Sequence, residues 1–131
     1  MRYLLDNSAF IALGYTGHTA HKRAKSWLAT AQRAKAELFV CSISELGFIR
    51  VLVGAGYVPN WATALDVLHR VRESIAIGFL PDDVPLQTLP DGVKGANDTT
   101  DAHLAQLAEA HQMRLVTLDR KIPAPTAEVI P

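Results

Sequence analysis

The chain predicts an α/β fold of three layers, α/β/α, around a central, mostly parallel sheet of four to five strands. Three observations carry that expectation. Short β-type runs alternate with longer helical patterns from one end of the chain to the other. Apolar residues make up 49% of the 131 residues and charged ones 20%, enough for a substantial core and too apolar for a disordered chain. No apolar run reaches the roughly 18 residues of a membrane-spanning helix; even GFIRVLVGAGYV is interrupted by Arg50. One domain of ordinary size, residues 1–131, is expected.

The elements follow in order. Residues Arg2–Leu5 form a short apolar run closed by Asp6 and Asn7, and 8–13 reads as a brief helix stopped at Gly14. Residues 18–36 carry an amphipathic stripe through Ala20, Ala24, Trp27, Leu28 and Ala31, with Lys22, Arg23 and Lys25 largely on the other side. A second strand at 37–41 leads to a helix at 42–55 that is apolar nearly all round, which argues burial. Pro59 and Asn60 open a helix to about residue 74, with Leu65, Leu68 and Val71 as its core stripe. A third strand at 75–80 is followed by the Pro-rich stretch PDDVPLQTLPDG. The last helix, 99–111, precedes a fourth strand at 113–118 and a weak fifth at 127–130. The single cysteine, Cys41, excludes an intramolecular disulfide or a cysteine zinc cluster and reads as a small buried hydrophobe. The opening MRYLLDNSAFIAL is broken by Asp6 and Asn7 and makes no secretory core, so a soluble, cytoplasmic protein is expected.

In a parallel sheet the strands end, and the following helices begin, at one edge, where ligand sites lie. Asp6 follows strand one and Asp119 follows strand four; Glu45 falls in the first turn after strand two, and Asp101 in the first turn of the helix before strand four. Each has an ordinary local use. Ser42 to Glu45 and Asp98 to Asp101 have capping-box spacing, and Asp6 and Asp119 suit turns. For one acid alone, that use is the commoner. Helical phase favours more: Asp101 shares a face with Leu104 and Ala108, and Glu45 with Phe48, Ile49 and Leu52. Inward carboxylates need partners, and several together repel one another unless a cation sits among them. Hard oxygen donors without cysteine or paired histidine suit Mg²⁺ or Mn²⁺, and such an ion favours hydrolysis of a phosphodiester.

The segments LLDNSAFIAL, SISELGFIRVL and TTDAHLAQLAEAHQMRLVTLDR resemble the PIN-domain ribonucleases, and more narrowly the VapC toxins of type II toxin–antitoxin pairs. The resemblance spans essentially the whole chain. It implies a PIN-like fold in which the family's acids fall on Asp6, Glu45, Asp101 and Asp119, with Ser8 as the small polar residue two after the first acid. It further implies a Mg²⁺-dependent endoribonuclease (Mn²⁺ as a substitute) acting on RNA, a cognate VapB-type antitoxin and a homodimer. Asn7, Asp98 and Arg120 are supporting candidates, Asp98 chiefly as an N-cap or as a residue behind the ligands. One departure stands out. Many relatives place a second acid two residues after the fourth and then an aromatic, where this chain has Lys121 and Ile122, which argues against a tightly held second metal.

Thirteen basic residues balance 13 acids, which argues against strong non-specific nucleic-acid binding. With the four site acids neutralised by metal, the remaining surface is net basic. Arg120 and Lys121 suit phosphate contacts; Lys22, Arg23 and Lys25 fit either a phosphate patch or a solvated helix face. Arg50, in an apolar helix, pairs with a carboxylate or lines a dimer contact. His103 neighbours Asp101 but points elsewhere on a helix and is not taken as a ligand. A housekeeping PIN nuclease would show the same residues. A receiver-like signalling module needs an acidic pair after strand one and a phosphoacceptor after strand three, but the pair Asp82-Asp83 follows strand three instead. A haloacid-type phosphatase needs a second Asp where Ser8 stands.

Overall fold

Strand β1 (Arg2–Leu5) lies at the centre of a sheet ordered β3-β2-β1-β4-β5, in which every pairing is parallel. The others are β2 (Glu37–Val40), β3 (Gly78–Phe79), β4 (Arg114–Thr117) and β5 (Glu128–Val129). Helices α1 (Asn7–Gly14) and α2 (His21–Arg33) connect β1 to β2; α3 (Ser42–Gly54) and α4 (Trp61–Ile75) connect β2 to β3; α5 (Ala96–Ala110) returns to β4. The computed structural model describes residues 1–86, 93, 95–121 and 127–131.

The three layers follow from strand alternation. Tyr3, Leu5, Leu38, Val40 and Val116 face α1 to α4, in one core with Phe10, Trp27, Phe48 and Leu68. Leu4 and Leu115 face the other way, against Leu104, Leu107 and Ala108 of α5, joined by Cys41 and Leu80. Cys41 is thus the buried small hydrophobe its setting suggested. Among the described residues no helix is long and apolar enough to cross a membrane.

Element boundaries differ from the sequence pattern where local capping decides. Helix α2 starts at His21 because His18 closes a turn, its Nδ1 accepting from the Ala20 N–H at 3.0 Å. Helix α4 is capped as expected by Asn60, whose Oδ1 accepts from the Thr63 N–H at 2.8 Å. It runs on to Ile75 and ends in a left-handed Ala76, which leaves β3 only Gly78 and Phe79. Left-handed residues also precede two other strands, Lys35 (φ 59°) before β2 and Gln112 (φ 54°) before β4, beside Ala76 (φ 57°) before β3.

Two features hold the periphery. Glu128 of β5 accepts from the Trp27 indole N–H at 2.6 Å and the Tyr3 hydroxyl at 3.4 Å, fastening the edge strand to α2 and β1. Past β3, Asp82 and Asp83 pair with His103 (2.9 Å) and His111 (2.7 Å) of α5 and its C-cap, so this Asp pair anchors the segment that leads away from the sheet.

Helices α1 and α3 cross at Gly47, where an added Cβ would run into the Asn7 amide. Asn7 sits beside the buried Asp6, so it has little room to retreat. Gly47→Ala is expected to cost about 1–3 kcal/mol of stability by overpacking, measured by urea unfolding; an unchanged midpoint would show that the crossing yields freely.

Candidate active site

Parallel pairing in register sets the ends of β1 and β4 side by side, with Leu5 opposite Val116. Asp6 therefore emerges beside Thr117, and its own N–H donates to the Val116 carbonyl at 3.0 Å. Its carboxylate caps α1: Oδ1 accepts from the Ala9 N–H and the Ser8 hydroxyl, each at 2.8 Å. Ser8 Oγ in turn accepts from the Leu118 N–H at 3.0 Å and lies 3.3 Å from the Thr117 hydroxyl. Ser8 thus ties the start of α1 to the end of β4. Asp6 is only 2% exposed. Burial raises its pKa above the ordinary carboxylate value, outweighing the opposing pull of the Ala9 N–H and of Thr117 and Ser8, and the charge of Asp119 raises it further.

Asp101 reaches the same edge from α5. That helix begins at Ala96 with Gly95 as N-cap, so Asp101 lies in its second turn rather than its first. Asp98 is not the N-cap; it occupies the third helical position and accepts from the Gly95 N–H at 3.2 Å. A glycine that supplies the extended cap conformation moves the start upstream of the Asp98-Thr99 reading. Asp101 has its pKa pushed up to about 6, first by burial and then by the charges of Asp6, Asp119 and Asp98. Asp119 is exposed, in a turn after β4: its Oδ1 accepts from the Lys121 N–H at 2.8 Å, and its own N–H donates to Thr117 Oγ1 at 2.9 Å. Arg120 and Lys121 follow it on the surface. The expected second-acid comparison ends at Lys121, since Ile122 lies outside the described residues.

Glu45 stands apart. The expected capping box with Ser42 does not form, because Cys41 takes the N-cap place and Ser42 becomes the first helical residue. Ser44, not Ser42, reaches back, donating to the Leu5 carbonyl at 2.6 Å. Glu45 Oε2 accepts from Arg72 Nη1 of α4 at 3.1 Å. Arg72 and Thr117 were not singled out from the sequence. Arg72 continues the Leu65–Leu68 spacing of α4, so a cation in helical phase with the core stripe was the available sign. His103 is confirmed away from the acids, held by Asp82. Arg50 is exposed and makes no ion pair among the described residues, which leaves the carboxylate half of its expectation unmet.

Among the described residues no three His, Cys, Asp or Glu side chains already form a cage for one ion. The donor chemistry nevertheless suits a hard cation. Asp6, Asp101 and Asp119 are carboxylates whose charges raise one another's pKa, the condition a divalent ion relieves.

Comparison with known proteins agrees with this arrangement. The PIN domain family matches residues 3–127. The chain belongs to the PIN-domain family. Within it, this PIN domain is 34% identical to Ribonuclease VapC38 of Mycobacterium tuberculosis over 122 residues, 88% of this chain and 84% of that one. It is 35% identical to Ribonuclease VapC29 of the same species over 120 residues, 91% and 86% of the two chains. Among solved structures, PAE2754 from Pyrobaculum aerophilum superposes with a TM-score of 0.62 at 25% identity, covering 99% of this PIN domain and 90% of that chain. VapBC2 from Rickettsia felis, bound to a promoter DNA fragment, shares the fold with a TM-score of 0.58 at 13% identity, over 98% and 97% of the chains.

The repulsion has a measurable sign. Asp101 titrates near 6 in the folded chain against 3.8 for an ordinary aspartate, so ionising it is harder folded than unfolded. Stability is then lost as pH rises through that window. In chelator, the wild-type chain is expected to melt lower at about pH 7.5 than at about pH 5, and Asp101→Asn to lessen that fall. An Asp101→Asn chain with the full wild-type fall would show that Asp101 does not carry it.

Proposed function

We propose that this PIN domain is an endoribonuclease that hydrolyses RNA phosphodiester bonds with Mg²⁺ or Mn²⁺, acts as the toxin of a toxin–antitoxin pair, and works as a homodimer. The observation that carries the reading is the electrostatic coupling of Asp6, Asp101 and Asp119 at one sheet edge, in a chain similar to ribonucleases named VapC. Asp6, Asp101 and Asp119 would hold the ion. The ion supplies Lewis-acid charge toward a phosphoryl oxygen and a more acidic water.

The chain's own residues prepare that chemistry. Ser8 and the Ala9 N–H fix the Asp6 carboxylate, so the most buried donor keeps one orientation. The turn bond from the Lys121 N–H orients Asp119 while leaving it open to solvent, where a large substrate can approach. Arg120 and Lys121 lie beside it and supply positive charge for RNA phosphates. Exposed apolar side chains on and between α3 and α4 (Leu46, Val51, Tyr57, Trp61 and Leu65) offer surface for a VapB-type partner or a second copy.

Expression of the chain alone, followed by mapping of cut RNA, tests the activity. Asp6→Asn and Asp101→Asn are expected to lower cleavage about a hundredfold or more while leaving the fold intact, and excess EDTA to abolish it. Asp98→Ser is expected to keep most of the activity, because that side chain serves the helix start. Near-normal cleavage by either Asn variant, or in EDTA, overturns the assignment.

The antitoxin offers a separate check. A basic residue in its C-terminal segment would compete with the ion for the acids. Replacing that residue by Ala in a peptide inhibitor is expected to weaken inhibition more at low Mg²⁺ than at high. Inhibition insensitive to both Mg²⁺ and the residue would place the partner away from the acids.

A further inference from the structure

Glu45 and Arg72 form a pair that the proposed reaction does not use. Glu45 sits in the first turn of α3, at the same sheet edge as the aspartates, and it was expected among the ligands. Its carboxylate is instead 3.1 Å from Arg72 Nη1, with both side chains largely buried at 19% and 28% exposure. Arg72 is itself closely held: its guanidinium carbon lies 5.8 Å from the centre of the Phe79 ring, and its buried Nε finds no hydrogen-bond partner among the described residues. Glu45 is the one carboxylate within ion-pair distance of Arg72 among the described residues. Taking Glu45 away would leave a largely buried cation without its counter-charge, the costly way to break such a pair.

The aspartates behave as a set without Glu45. The charges that act on Asp101 are those of Asp6, Asp119 and Asp98, and the charge that acts on Asp6 is that of Asp119. Mg²⁺ keeps several waters and commonly takes only one or two carboxylates, so Glu45 is not needed to complete its shell.

We propose that Arg72 is a positioning residue that holds Glu45 out of the metal's reach, so that the ion in this chain is held by three aspartates rather than four acids. This rests on the metal reading above and narrows it. The pair makes α4 part of the site: releasing Arg72 hands the ion a further carboxylate, and keeping it sets the ion's affinity lower than the full acid count would give.

The test is calorimetric titration of Mn²⁺ into the full chain without RNA. Asp101→Asn is expected to weaken binding about tenfold or more, whereas Glu45→Gln shifts it less than about twofold, as expected of a group that does not ligate. Arg72→Gln is expected to tighten binding by about fivefold, the scale of a partly exposed ion pair. That gain should vanish in the Glu45→Gln/Arg72→Gln chain, and Arg72→Lys, which keeps the cation, should stay near wild type. Thermal melts establish that each variant is folded, and Arg72→Lys with Glu45→Gln carry the test if Arg72→Gln is not.

A loss of about tenfold or more in Glu45→Gln alone makes Glu45 a ligand and overturns the proposal. So does a tightening that persists in the double variant, which would be a general charge effect rather than release of Glu45. Arg72→Lys departing from wild type as far as Arg72→Gln does would also overturn it. An Asp101→Asn chain that binds Mn²⁺ as well as wild type instead overturns the metal reading itself, and this inference with it.

Discussion

A carboxylate buried to 2% exposure at the end of the central strand is the constraint to which the neighbouring structure answers. Asp6 cannot leave, because its backbone is paired to β4 and its side chain starts α1. Hydrogen bonds to a charged acceptor contribute about 1.5–3 kcal/mol each, yet burial still outweighs the bonds made to Asp6 and raises its pKa. The edge is therefore left with an electrostatic deficit. Asp101 and Asp119, arriving from other segments, deepen it. Ser8, Thr117 and the turn at Lys121 keep these acids apart from one another's hydrogen bonds and in place, so that the deficit is concentrated at one spot.

The two sides of that spot are handled differently. On the β4 side, acids are left to repel, with Arg120 and Lys121 in solvent nearby. On the α3 side, the chain provides its own cation, and Glu45 is neutralised within the fold. A fold of this kind can thus count four acids at one edge and still differ in how many are available, according to what the neighbouring helix carries.

Much of this was legible in the sequence because parallel α/β topology turns strand ends into neighbours. β1 was read at Arg2–Leu5, and Asp6 and Asp119 were placed by following their strands alone. The misplaced boundaries share a cause: competition among several possible caps. Cys41 displaced Ser42, Gly95 displaced Asp98, and a left-handed Ala76 let α4 run into the expected strand. The sequence shows every candidate cap but not which backbone turn wins, since tertiary contacts such as Ser44 to Leu5 arbitrate. Arg72 was missed for a related reason. Its partner lies on another helix, and no local pattern announces a pairing across 27 residues. His103 and Asp82 meet in the same way across the sheet's far layer.

The left-handed residues have a consequence of their own. Lys35, Ala76 and Gln112 each precede a strand, so all lie at the amino edge, across the sheet from the acids. A non-glycine residue in that conformation costs on the order of 1–2 kcal/mol. The chain thus carries conformational cost at its base and electrostatic cost at its top, separated by the length of the strands. Substitutions at the base can raise or lower how much folded protein a cell maintains, a quantity that responds several-fold to 1–2 kcal/mol, with no change in the chemistry at the top. For a protein whose proposed effect depends on its amount relative to a partner, dosage and activity become separately adjustable traits.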